Sequence, residues 1–233
     1  MIKEIRFYLG LMVAVAMLLV APTNLKAFDG ISVGINLTGS KMDTDGFETD
    51  PEGTKVTGSV NKSVQFPSLF LQYTHMISDS IAVTVGADYV PLDAEFVAEQ
   101  KTDTDLVDVS AAGATNSVTK KVNAELKDHV TLYVQPTFIL SDAQSIYLSV
   151  GYSQADVEAD VDLVTSDDFT KTDSLDGFRI GIGTQRYLND AFFFRLEAQY
   201  ADYDSVQFTT SDSTKVTAEP ELLGATASLG INF

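Results

Sequence analysis

The sequence predicts an all-β fold: an eight-stranded antiparallel up-and-down transmembrane β-barrel with short periplasmic turns and long extracellular loops. Three observations predict it. The chain opens with an export signal, the rest alternates in polarity with period two over eight segments, and the connections between segments are short and long in turn.

The signal comes first. Lys3 and Arg6 precede an apolar run from Phe7 to Ala21, followed by Pro22, Thr23, Asn24, Leu25, Lys26 and Ala27. That is the charged, apolar, small-residue order of a secretory leader. The run is shorter than the ~20 residues that span a bilayer as a helix, which argues against a permanent anchor. Residues 1–27 are therefore expected to be a cleaved signal peptide and residues 28–233 the barrel domain. Leu25, where a small residue is usual, leaves the cut open by a few positions. Loss of Lys3, Glu4, Arg6 and Lys26 takes the net charge from −18 to −20. So acidic a chain is not expected to meet nucleic acid. The absence of Cys rules out disulfides and a lipid-anchored cysteine.

The eight segments follow in order, each read from its alternation. Ile31, Val33, Ile35 and Leu37 form the first apolar face, and Leu69, Leu71, Tyr73 and His75 the second face. Ile81, Val83, Val85, Ala87 and Tyr89 make the third, opposed by Ala82, Thr84, Gly86 and Asp88. Val130 to Phe138 and Ile146 to Tyr152 alternate in the fourth and fifth. Phe178, Ile180 and Ile182 oppose Arg179, Gly181 and Gly183 in the sixth, and Phe192 to Tyr200 oppose Phe193, Arg195, Glu197 and Gln199 in the seventh. Leu223 to Phe233 close the set.

A soluble sandwich would alternate too, with its apolar face inward. Here the opposite face is rich in Gly, Ser and Thr, which suit the narrow bore of eight strands and leave the aliphatic face to lipid. The connections Ile77-Ser-Asp-Ser80, Leu140-Ser-Asp-Ala143 and Leu188-Asn-Asp-Ala191 are short, whereas those near residues 39–65, 91–128, 154–176 and 201–219 are long. Short turns on one side and long loops on the other are the asymmetry of an outer-membrane barrel. Interfacial rings fit as well: Tyr89, Tyr152 and Tyr200 end outward faces at the extracellular edge, and Phe138, Phe192 and Phe233 mark the periplasmic one.

Gly177-Phe-Arg-Ile-Gly-Ile-Gly183, the Leu188-Asn-Asp turn, Phe194-Arg-Leu-Glu-Ala-Gln-Tyr200 and the ending Gly230-Ile-Asn-Phe233 resemble the OmpA/OmpX-type and opacity-type family of small outer-membrane barrels. The resemblance covers nearly the whole mature chain. It implies the outer membrane of a Gram-negative bacterium, with loops outside, and outer-membrane lipid and lipopolysaccharide as surroundings. It also implies that Phe233 is the signal read by the barrel-assembly machinery. It carries no activity with it, and no peptidoglycan-binding domain is expected after the barrel.

Four charges fall on otherwise small or neutral inward faces: Asp88, Arg179, Arg195 and Glu197. Buried charges without partners cost several kcal/mol each, roughly, so the four are expected to pair. The main reading is a salt-bridge cluster plugging the bore; a switching gate is the sharper alternative. The four long connections hold 25 acidic and 9 basic residues, which makes the surface strongly negative. Divalent cations bridging these carboxylates to lipopolysaccharide phosphates are a candidate partner. Asp43-Thr-Asp45-Gly46 matches only the opening of a calcium loop, so no dedicated metal site is expected.

Polarity inverts beyond Tyr152 and Tyr89. Asp156, Glu158 and Asp160 take the outward phase, and Ala155, Val157 and Ala159 the inward one. The strands are therefore expected to run past the bilayer, with either a packed core or a greasy vestibule inside. The chain has only two His; His129 and Thr131 share a face without an acid evident behind them, so no enzyme and no cofactor are expected. The functional expectation is a structural or surface-interaction role carried by the four acidic loops. A narrow porin or hydrophobic-solute channel is the alternative, and a lipid-modifying barrel enzyme a distant one.

Overall fold

Backbone inside a bilayer has no water to bond, so strands can cross only if the last pairs with the first. The computed structural model, which describes residues 28–49, 51–91, 94–97, 101–103, 118–163, 169–209 and 215–233, has that closure. Its strands are β1 (Gly30–Thr49), β2 (Lys55–Ser78), β3 (Ile81–Tyr89), β4 (Ala94–Val97), β5 (Lys101–Asp103) and β6 (Val118–Ser141). They continue with β7 (Gln144–Leu163), β8 (Phe169–Tyr187), β9 (Phe192–Tyr203), β10 (Val206–Thr209) and β11 (Lys215–Asn232). The pairing order is β1-β2-β3-β6-β7-β8-β9-β11, and β1 also pairs β11. All pairs are antiparallel. β4 and β5 prolong β3 along β6, and β10 prolongs β9 along β11, so eight strands stand around the ring. The predicted signal peptide lies outside the described residues.

The burial pattern inverts that of a soluble protein. Ile35, Leu37, Val150, Ile180, Ile182 and Leu223 are each more than half exposed, whereas Ser32, Thr131, Ser149 and Ser153 are buried. A belt of this kind has lipid as its solvent. On β8 the outward side chains are Phe178, Ile180 and Ile182, then Thr184 and Arg186, with Leu188 at the turn. At ~3.3 Å per residue and a tilt of ~40°, the stretch from Leu188 to Phe178 rises about 25 Å, enough to cross an outer-membrane apolar band with Arg186 towards its periplasmic edge.

Above the belt the strands are longer than the alternation indicated. β1 and β2 continue to Thr49 and Lys55, so most of the connection expected over residues 39–65 is a paired hairpin arm. The segment hides in the sequence because Gly39, Ser40, Thr44 and Gly46 give no apolar face to read. Its outward positions Lys41, Asp43 and Asp45 are exposed and polar, as water requires. Asp43 to Gly46 thus lie in regular strand and do not form a cation loop.

Two apolar clusters fill the bore. Ala155, Leu175, Ala201, Tyr203 and Val206 pack at the outer end, with Val157, Ala218 and Leu222 against them. Phe28, Phe70, Tyr187 and Phe193 pack at the periplasmic end. β6 carries one irregularity between them: its register to β7 shifts between Lys127 and Val130, with Asp128 at φ 51°. A bulge adds one residue to one strand and re-aims its neighbours. His129, in the same alternating phase as Thr131, is buried in the lumen just after it.

Candidate functional site

The residues that could carry function in a barrel line its bore. The first feature there is a set of rings seated on glycines. Phe70 stands directly across from Gly34, Phe193 from Gly230, Tyr133 from Gly86 and Tyr147 from Gly183. A Cβ on Gly34 would run into the Phe70 ring and the Leu229 carbonyl, and one on Gly230 into the Phe193 ring. The glycines are therefore the floor on which large rings lie flat enough to fit the bore. Phe193 is 0% exposed, with Phe70 at 6.1 Å and Tyr187 at 5.5 Å between ring centroids. Phe28 stands edge-on to Tyr187 at 4.9 Å. These four rings fill the periplasmic half of the lumen.

Charge sits on top of them. The Arg195 guanidinium lies 4.3 Å above the Phe70 ring and donates from Nη1 to Gln72 Oε1 at 2.6 Å. The Tyr133 hydroxyl donates to the same oxygen at 3.1 Å. Arg179 Nη1 meets Asp88 Oδ2 at 2.8 Å, and Asn36 Nδ2 donates to Asp88 Oδ1 at 3.2 Å. Glu197 lies beside the Tyr147 hydroxyl, its Oε1 close over Gly181. All four charged residues singled out in the sequence line one cavity. Asp88 and Arg179 form the ion pair, while Arg195 takes a neutral amide and a ring, because inward positions on β2 place Gln72 and Phe70 beneath it.

At the outer rim of this cavity, just beyond the last lipid-facing residue of β6, His129 Nε2 lies 3.2 Å from the Tyr203 hydroxyl. Phe66 stands edge-on to His129 at 6.4 Å. Burial first, then Arg179, lower the His129 pKa to about 4, while Asp88 acts in the opposite direction. The imidazole is thus neutral at pH 7. Thr131 bonds Ser153 at 2.8 Å instead of His129, so the two do not form a nucleophile and base.

The sequence that folds into this closed antiparallel ring matches the family model described as "Outer membrane protein beta-barrel domain", over residues 11–233. The chain belongs to that family. It is an outer-membrane β-barrel protein. No curated protein matches the sequence. Among solved structures, the outer membrane protease OmpT of Escherichia coli is 8% identical, with 91% of this chain and 99% of that chain covered and a TM-score of 0.50. OprG of Pseudomonas aeruginosa is 15% identical, with 86% and 96% covered and a TM-score of 0.47. Ail, the attachment invasion locus protein of Yersinia pestis, is 13% identical, with 86% and 99% covered and a TM-score of 0.35. At these identities the likeness concerns the fold alone.

The rings assigned to the membrane edges all face out from this outer-membrane barrel. Tyr89, Tyr152, Phe138 and Phe192 are between 42% and 48% exposed, Phe233 is more so, and Tyr200 is half-buried. Phe178, which alternation placed on the apolar face without an edge role, stacks edge-on with Tyr152 at 5.6 Å and joins the extracellular row. The lumenal rings were the residues that sequence reasoning passed over. For five of them a signal was present: Phe70, Tyr133, Tyr147, Phe193 and Tyr203 each have a glycine opposite on the neighbouring strand, readable once register is known.

Proposed function

We propose that this outer-membrane barrel is a non-conducting, non-enzymatic scaffold that presents an acidic surface outside the cell. The observation that carries the reading is the bore filled by Phe28, Phe70, Tyr187 and Phe193 beneath the Arg195–Gln72 contact. Eight strands leave a bore that side chains can fill, and rings on glycines fill this one. The packed cluster around Tyr203 speaks against a vestibule for hydrophobic solutes. What faces outward is carboxylate. Asp43, Glu221 and Asp202 are neighbours in one row across three strands, with Asp45 beside Glu219 in the next. Like charges directly opposite repel, so these strands gain from cations between them.

Divalent cations shared with lipopolysaccharide phosphates are the partners this surface suits. The combined variant Asp43→Asn, Asp202→Asn and Glu221→Gln should bind lipopolysaccharide vesicles about five-fold or more weakly in calcium while folding as before. Equal binding with and without calcium, or no change in the variant, contradicts the reading. Phe233 serves in this account as the assembly signal. Its deletion should lower the amount of barrel in the outer membrane several-fold, roughly, with little change in the stability of refolded protein. Unchanged surface levels would remove that role.

A further inference from the structure

Between the aromatic stopper and the outer apolar cluster lies a cavity of about 40 Å³. Six residues that line it each carry a buried side-chain polar atom with no hydrogen-bond partner among the described residues: Asn36 Oδ1, Ser40 Oγ, His129 Nδ1, Arg179 Nε, Arg195 Nε and Gln199 Oε1. Four of these residues are more than nine-tenths buried, and Arg195 is 4% exposed. A buried donor or acceptor left unmet costs about 1–3 kcal/mol, so six around one space mark a site that something else completes.

The chemistry of the set says what completes it. Each guanidinium Nε–H can only donate. The Asn36 and Gln199 oxygens can only accept, and Asn36 cannot turn over, because its Nδ2 already serves Asp88 and Ser68. Ser40 can do either, and His129 Nδ1 donates when Nε2 accepts from Tyr203. A guest must therefore both give and take hydrogen bonds. The charges agree: Asp88 and Glu197 balance Arg179 and Arg195, and His129 is neutral, so an ion would leave the lumen charged. A halide would also leave both amide oxygens unmet.

We propose that the middle of the lumen is a binding chamber for neutral guests that both donate and accept hydrogen bonds, with room for about three waters or one solute of that total size. The chamber excludes ions. The inference rests on the closed bore but not on the surface role of the loops, and each can fail alone.

The test is magnetic resonance on the mature chain, labelled with ¹⁵N-arginine and refolded in detergent micelles. The Nε–H signals of Arg179 and Arg195 are assigned from Arg179→Lys and Arg195→Lys. Both signals should show cross-peaks to water with the sign of a slowly exchanging site. Gln199→Leu, which removes one acceptor, should weaken them about two-fold. Titration with urea and with ethylene glycol then separates the two sources. Cross-peaks that persist identify water as the occupant, whereas saturable shifts with fading water contacts identify an exchangeable solute site; both support the chamber. Absent water contacts without a solute shift, or saturable shifts with bromide, overturn it.

Discussion

Replacing Arg179 with Ala lowers the stability of the refolded barrel by about 3–5 kcal/mol, because it leaves the Asp88 carboxylate buried with only the Asn36 amide to meet it. The loss comes chiefly from the stranded charge and not from the net worth of the pair. A second substitution that removes the charge should therefore recover most of it. Arg179→Met with Asp88→Leu is expected to unfold within about 1–2 kcal/mol of the parent. Urea titrations in detergent, followed by tyrosine fluorescence since the chain has no Trp, measure both. If Arg179→Ala is as stable as the parent, lumenal water already solvates Asp88 and the pair does not hold the ring.

Phe193→Ala has a comparable effect for a different reason. Its ring is fully buried between Phe70 and Tyr187, and truncating such a ring costs about 3–5 kcal/mol through lost contacts and the cavity left behind. The gap also joins the chamber to the periplasmic mouth, but the cluster around Tyr203 still closes the outer end, so this variant should not leak ions across a planar bilayer. Gly230 supplies a control of opposite sign. Gly230→Ala pushes a methyl into the Phe193 ring and should cost about 1–3 kcal/mol. Combined with Phe193→Leu, which vacates that space, the loss should be smaller than the sum of the two. Strict additivity would mean that glycine and ring are not one packing unit.

Much of this barrel was legible in the sequence. Alternation from Ile81 to Tyr89, the three Ser/Asn-Asp turns and the tyrosines at strand ends sufficed for eight strands and their orientation, because one face meets lipid and the other does not. The same logic placed Asp88, Arg179, Arg195 and Glu197 inward. What alternation cannot supply is register. Whether Arg195 meets an acid or Gln72 depends on how far each strand is staggered against the next, and the period-two pattern is silent on that stagger. The rings were missed for a related reason: Phe70, Tyr133, Tyr147 and Phe193 stand among Gly, Ser and Thr, and a mostly small-residue face does not show which rings meet which glycines. Beyond the bilayer, β1 past Gly39 read as loop because both of its faces are small or polar. The positive φ of Asp128 left no sign at all.

The central claim is that the bore is closed. Conductance of the purified, refolded mature chain in a planar bilayer tests it most directly. Insertion of the parent barrel should leave the current at the baseline of the lipid alone, and Phe193→Ala, inserted in the same amount, should do so too, because the cluster around Tyr203 still closes the outer end. Steady unit steps from the parent barrel would show an open path past the rings and contradict the account.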